Sequence, residues 1–201
     1  MKKITVSDIT LKAIEQQGLS LTFREKLAIA ENIDASKVDA IEFPALINSK
    51  ENEIIYRTIA TSVKNAIVKI PVGVDDDGMA FALECVKNAK NFCLQVVMPI
   101  STAQMEYFYH LKAPAMQAKI GEMIKQAKGV CDCVEFVALD AFRAEEGFAV
   151  ACAKTAFEAG ASVITPHSAL HPQLSAPDLC LPHSGVYRCE GEAAHRPHQS
   201  Q

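Results

Sequence analysis

No stretch of this 201-residue chain approaches the roughly 20 consecutive apolar residues that a membrane-spanning helix needs. Excess positive charge is lacking too. Lys and Arg number 20 against 24 Asp and Glu, a formal net charge of -4, which gives no electrostatic footprint for nucleic acid or anionic lipid. The seven cysteines are odd in number and irregular in spacing, so they read as reduced, mostly buried thiols rather than a disulfide framework. No G-x-G-x-x-G follows the first strand-like run, which disfavours a dinucleotide-binding sheet. The opening Met1-Lys2-Lys3-Ile4 leads into that run and not into an apolar signal-peptide core, so a cytoplasmic location is expected. What is present is globular composition: 49% apolar and 22% charged residues, enough for one sizeable core.

Short apolar, β-branched runs alternate with helical patterns. The runs are Ile4–Ile9, Val38–Leu46, Ala66–Val72, Phe92–Ile100, Val130–Leu139 and Ser162–Thr165. Thr22-Phe-Arg-Glu25 is a capping box, in which side chains at the first helical turn satisfy otherwise orphaned N–H groups. It predicts a helix through about Ile33. Ile54, Ile55, Ile59 and Val63 are expected on one helical face, and Gly78–Asn88 and Glu145–Ala159 also read as helices. The stretch from Thr102 to Lys128 predicts one or two helices with a loop near Pro114. Near-continuous apolar strands alternating with helices predict a parallel sheet buried on both faces. Two architectures remain open: a doubly wound sheet, or a (β/α)8 barrel that stops early, a whole one needing about 250 residues. From Pro166 onward the pattern breaks, with five of the nine prolines and five of the six histidines (His167, His171, His183, His195 and His198). That composition reads as an irregular, disordered tail over 166–201, after a barrel portion over 1–165.

Several motifs carry a resemblance. Ser7-Asp8-Ile9-Thr10-Leu11-Lys12-Ala13-Ile14-Glu15-Gln16 resembles the D-x-T-L-R-D-G-E-Q signature that ends strand 1 in the metal-dependent acyl-CoA condensing and cleaving barrels. These include the 2-isopropylmalate, homocitrate and citramalate synthases and hydroxymethylglutaryl-CoA lyase, the pyruvate carboxyltransferase type. Leu21–Ala30 looks like the family's first helix, and Val38-Asp-Ala-Ile-Glu-Phe-Pro44 like its second strand. Val134-Glu-Phe-Val-Ala-Leu-Asp-Ala-Phe-Arg143 resembles the fifth strand and Ala159-Gly-Ala-Ser-Val-Ile-Thr165 the sixth. The resemblance implies an incomplete TIM barrel of about six βα units. It also implies acetyl-CoA and an α-keto acid as partners, and a divalent metal such as Mg, Mn or Zn as cofactor. The family reaction is a Claisen condensation: a hard cation, aided by an Arg, stabilises the charged oxygen while a base deprotonates acetyl-CoA.

Carried over one by one, the residues depart from that pattern. The family's Arg is Lys12 here, which keeps the charge and loses the bidentate fork. Its acidic metal ligand is Ala13 and the following Gly is Ile14, while Glu15 and Gln16 are retained. Glu42 matches the catalytic-site glutamate. The strand 3 Arg and His fall on Lys69 and Val74, and Ser101 matches a serine after strand 4. On strand 5 the buried Glu is Leu139, while Asp140 and Arg143 persist. The H-x-H of strand 7 has no counterpart, so no metal ligand stands in a matching position, against the roughly three protein ligands a catalytic metal takes. The resemblance thus assigns Lys12 and Glu42 as catalytic candidates and Gln16 and Ser101 as substrate-binding candidates. The expected function is an acyltransferase of the 2-isopropylmalate synthase type, inactive in this chain. The alternatives are a non-catalytic paralogue binding a small carboxylate, or a lyase of the hydroxymethylglutaryl-CoA type.

Other features take plainer readings. Asp75-Asp-Asp77 is expected to cap the helix from Gly78. Cys131 and Cys133 are expected on one face of a strand as packed thiols. Cys180, His183, Cys189, His195 and His198 fit no standard zinc spacing. The composition shifts abruptly near Thr165, so the tail is expected to be out-of-frame translation. Six strands of eight would leave open edges, and poor solubility, homo-oligomerisation through those edges or partial unfolding is expected.

Overall fold

The computed structural model describes residues 4–45, 47–72 and 77–167. Val74, Asp75, Asp76 and the expected tail from Ser168 lie outside the described residues. Six strands form one parallel sheet: β1 (Ser7–Asp8), β2 (Ala40–Glu42), β3 (Ile67–Val72), β4 (Phe92–Pro99), β5 (Val134–Leu139) and β6 (Val163–His167). The helices are α1 (Thr10–Gln16), α2 (Phe23–Ala35), α3 (Lys50–Ser62), α4 (Gly78–Val86), α5 (Thr102–Phe108), α6 (Ala113–Val130) and α7 (Glu146–Glu158). A short 3-10 turn, Ala141–Arg143, follows β5.

Spatial order equals chain order, β1 to β6, and every neighbouring pair is parallel. A doubly wound sheet would reverse its order at a switch point. The wall never reverses, so the fold is α/β and an incomplete TIM barrel, which resolves the two architectures left open by the sequence. Among the described residues, β1 and β6 each pair on one side only.

The two faces of this wall differ in kind. Successive strand residues point to opposite faces. Ile41, Val68, Ile70, Val72, Leu94, Val96, Met98, Val134 and Phe136 all join the helices in one buried core. The alternate positions include Glu42, Lys69, Cys93, Gln95, Glu135, Thr165 and His167, which carry polar groups onto the inner face beside Val97 and Val137. β4 and β5 are largely buried on both faces, as expected, while the inner positions of β3 are half-buried.

Local chemistry sets the element ends. Thr22 Oγ1 accepts the Glu25 N–H at 3.4 Å and Glu25 Oε2 accepts the Thr22 N–H at 2.8 Å, the reciprocal box expected. The two helices expected over Thr102 to Lys128 are α5 and α6, and the loop over 109–112 ends just before Pro114, which sits in the first turn of α6 where its missing N–H costs no helical bond. Asp77 sits at the N-cap of α4, yet its side chain makes no capping hydrogen bond. Ile54 is exposed, and the buried stripe of α3 runs through Glu53, Tyr56, Ile59 and Ala60. β6 runs through Pro166 and His167, two residues past Thr165, with Pro166 opposite Ala138 and His167 opposite Leu139.

Candidate active site

Barrel enzymes bind substrate at the carboxyl ends of their strands. Here that rim gathers α1 from behind β1, Glu42 at the end of β2, Ser101 just past β4, Asp140 just past β5, and His167 at the end of β6. The stretch after β1 coils at once into α1, because Asp8 Oδ1 accepts the Thr10 N–H at 2.8 Å and fixes the turn. Leu11 then points into the core, and Lys12, one step round the helix, points at the rim.

Lys12 and Glu42, paired in the sequence reading only as catalytic candidates, are in contact. Lys12 Nζ donates to Glu42 Oε2 at 3.1 Å, and Ser7 Oγ donates to Glu42 Oε1 at 3.0 Å. Lys69 Nζ stands 3.8 Å from the same carboxylate. Burial works against the Glu42 charge, but Lys12, Lys69 and Ser7 together outweigh it and hold its carboxyl below the usual carboxylate range. Lys12 spends one of three ammonium hydrogens on Glu42 and keeps a partly open side chain.

A second ion pair lies deeper on the inner face. Lys69 Nζ reaches across β4 to Glu135 Oε2 at 2.9 Å. Glu135 also accepts from Gln95 Nε2 at 3.2 Å and from Thr165 Oγ1 at 2.5 Å, so strands β3 to β6 are tied through one carboxylate. Burial disfavours the Lys69 ammonium, yet Glu135 and Glu42 reverse that and raise its pKa. The sequence held the signal for Glu135: a carboxylate in the apolar run Val134–Leu139 must find a cation or donors once buried. Gln95 stands opposite Glu135 in the register, and Lys69, opposite Cys93, reaches it from the inward position one step along.

His167, assigned by sequence to the tail, stands instead at the rim. Its Nδ1 is buried without a hydrogen-bond partner. Burial and the Lys12 charge lower its pKa, with Glu42 opposing them. Its signal was continuity, since Val163-Ile-Thr-Pro-His167 extends the strand run.

Ser101 does not join Lys12 and Glu42. Its hydroxyl donates to Asp140 Oδ2, and its Oγ accepts the Gln104 N–H at 3.4 Å as the N-cap of α5. Asp140 takes a left-handed backbone, φ 59°, which turns its carboxylate under Arg143; Arg143 Nε donates at 2.8 Å. Gln16 is the last residue of α1, and its side chain lies outside the described atoms. Cys131 and Cys133 do not share a strand face: Cys131 ends α6, and only Cys133 points to the inner face.

Among the described residues, the rim donors do not suit a divalent cation: the resemblance puts Ala13 where the family has an acidic ligand, and Lys12 places an ammonium against Glu42. Among the described residues, no three His, Cys, Asp or Glu side chains converge in a metal-holding group. Nor is any helix among them long and apolar enough to cross a membrane.

A singly wound parallel wall with a charged rim at its strand ends is the framework of a TIM barrel, and comparison gives the family. The chain belongs to the HMGL-like family, whose profile matches residues 3–169. It is 33% identical over 168 residues to a 2-isopropylmalate synthase of Bacillus velezensis, covering 82% of this chain and 32% of the relative. It is 31% identical over 167 residues to 2-isopropylmalate synthase 1 of Caldanaerobacter subterraneus, covering 82% of this chain and 42% of the relative. A 2-isopropylmalate synthase of Listeria welshimeri is 30% identical over 165 residues. The chain thus spans from about a third to about two-fifths of the length of these relatives.

Proposed function

We propose that this chain is an acyltransferase-type barrel of the 2-isopropylmalate synthase kind that has lost the Claisen condensation and kept a rim that binds a small carboxylate. The observation that carries the reading is the Lys12–Glu42 ion pair beside Ala13. In the family a cation and an Arg fork would stabilise the charged oxygen; here a lysine fills that corner, and no carboxylate at position 13 can hold a metal. Lys12 has donors left for a ligand carboxylate. Glu42, held ionised, orients the ammonium and is a poor proton donor at neutral pH. Gln16 is a proposed flanking contact, and Ser101 is proposed to act through Asp140 by setting the loop after β5. Acetyl-CoA, an α-keto acid and a cytoplasmic setting belong to the same proposal.

The test is calorimetric titration of the purified chain with pyruvate, alongside a thiol-release assay with acetyl-CoA, pyruvate and Mg²⁺ or Mn²⁺. The expected result is saturable pyruvate binding, weakened at least tenfold by Lys12→Met, with no keto-acid-dependent release of CoA. Metal- and keto-acid-dependent CoA release would overturn the loss of catalysis. Binding unaffected by Lys12→Met, or absent, would overturn the carboxylate rim.

A further inference from the structure

We propose that Cys93 and Cys133 form a dithiol site that reacts with small disulfides and closes into a disulfide between β4 and β5. Leu94 pairs with Val134 in the parallel register, so the preceding residues, Cys93 and Cys133, lie side by side. Both point to the inner face, and the Leu94 N–H donates to the Cys133 carbonyl at 3.0 Å, which holds the two strands together at this point. Both are free. Lys69 lies opposite Cys93 on β3, which puts an ammonium beside the pair.

The other described thiols are placed differently. Cys131 is turned away, its Sγ donating to the carbonyls of Cys133 at 3.1 Å and Phe92 at 3.6 Å. Cys85 and Cys152 are buried against the helices, and burial pushes them up to about 11 and about 12. Within the pair the roles split. Cys133 is partly exposed, whereas Cys93 is 1% exposed. Interaction with the Cys93 thiol, helped by the Lys69 and Lys128 charges, outweighs burial and Glu135 and lowers the Cys133 pKa. Cys93 is correspondingly driven upward by the same interaction and by burial. A thiolate that is accessible near neutral pH is the attacking group in thiol–disulfide exchange.

The chemistry balances in two steps. Cys133 Sγ attacks one sulfur of a small disulfide R–S–S–R; the S–S bond breaks, one thiolate RS⁻ leaves, and a Cys133–S–S–R bond forms. Cys93 then gives up its proton to the departed thiolate, and its sulfur attacks Cys133 Sγ and expels the second RS⁻. The protein loses two hydrogens and two electrons, and the small disulfide becomes two thiols.

The experiment uses the whole chain, reduced and then exposed to excess hydroxyethyl disulfide, with intact mass and a peptide map as readouts. The expected result is a cross-linked peptide joining Cys93 to Cys133, accounting for two of the seven thiols. Cys93→Ser should stop at a stable probe adduct on Cys133, and Cys133→Ser should leave Cys93 unmodified. A link from Cys133 to Cys131, a wild-type chain that stops at the mixed disulfide, or an unreacted pair would overturn the proposal. The map of the wild-type chain decides even where a variant does not fold.

Discussion

Lys69 on β3 and Glu135 on β5 meet at 2.9 Å although a whole strand lies between them. Glu135 is 2% exposed, and Lys69 is the cation that faces it. Removing one partner leaves an uncompensated buried charge, which costs about 3–5 kcal/mol. Lys69→Met is therefore expected to lower unfolding free energy by roughly that amount in urea melts. Adding Glu135→Leu should restore most of it, because two apolar groups need no partner. A Lys69→Met chain within about 1 kcal/mol of the parent would show that Gln95 and Thr165 suffice.

The Lys12–Glu42 pair carries a pH signature. The folded chain holds the Glu42 carboxyl below its usual value, first against burial and then through Lys12, Lys69 and Ser7. A group whose pKa is depressed on folding stabilises the native state above its unfolded pKa of about 4.3. That contribution is lost as pH falls through the lower folded value. Thermal melts at pH 3 to 7 should thus show a fall in midpoint below about pH 4, shallower in Glu42→Gln. The same acid slope in Glu42→Gln would assign the effect to other carboxylates.

Most of the wall was legible because apolar, β-branched runs and helical periods are local signals. Ala66–Val72 became Ile67–Val72, and Phe92–Ile100 became Phe92–Pro99. The first run shrank to two residues, Ser7–Asp8, since only that stretch of β1 finds a partner, on β2. The inner face was harder. Lys69, Gln95, Glu135 and Thr165 are far apart in sequence, and only strand register makes one network of them. Lys12 and Glu42 were named from resemblance, yet their contact depends on α1 turning back over the end of β2. The pairing of Cys133 with Cys93 rather than Cys131 is likewise a fact of register.

Ser101 tests whether a rim residue binds or builds. Its hydroxyl donates to buried Asp140 and accepts the Gln104 N–H. Ser101→Ala removes a helix cap and one bond to a buried carboxylate, so a loss of about 1–3 kcal/mol is expected. Pyruvate affinity should stay within about twofold, since Arg143 still holds Asp140, and a twofold change is only about 0.4 kcal/mol. A larger loss of affinity with unchanged stability would place the hydroxyl on the ligand itself.

Asp34, at the far end of the barrel wall from the rim, fixes the entry to β3. Its carboxylate accepts the N–H groups of Lys64 at 2.9 Å, Asn65 at 3.0 Å and Ala66 at 2.8 Å, and the Asn65 amide at 3.2 Å. These are donors that neither α3 nor the sheet satisfies, and Asp34 is 6% exposed. Asp34→Ala strips all of them and is expected to cost about 2–4 kcal/mol, since each buried N–H left unpaired costs about 1–3 kcal/mol and water recovers some. Asp34→Asn keeps an acceptor of similar shape and should cost less. Hydrogen exchange distinguishes the mechanism: the amides of Lys64, Asn65 and Ala66 should lose protection in Asp34→Ala, while those of β4 and β5 keep theirs. Uniform loss across the sheet would mean that Asp34 supports global stability and not this one junction.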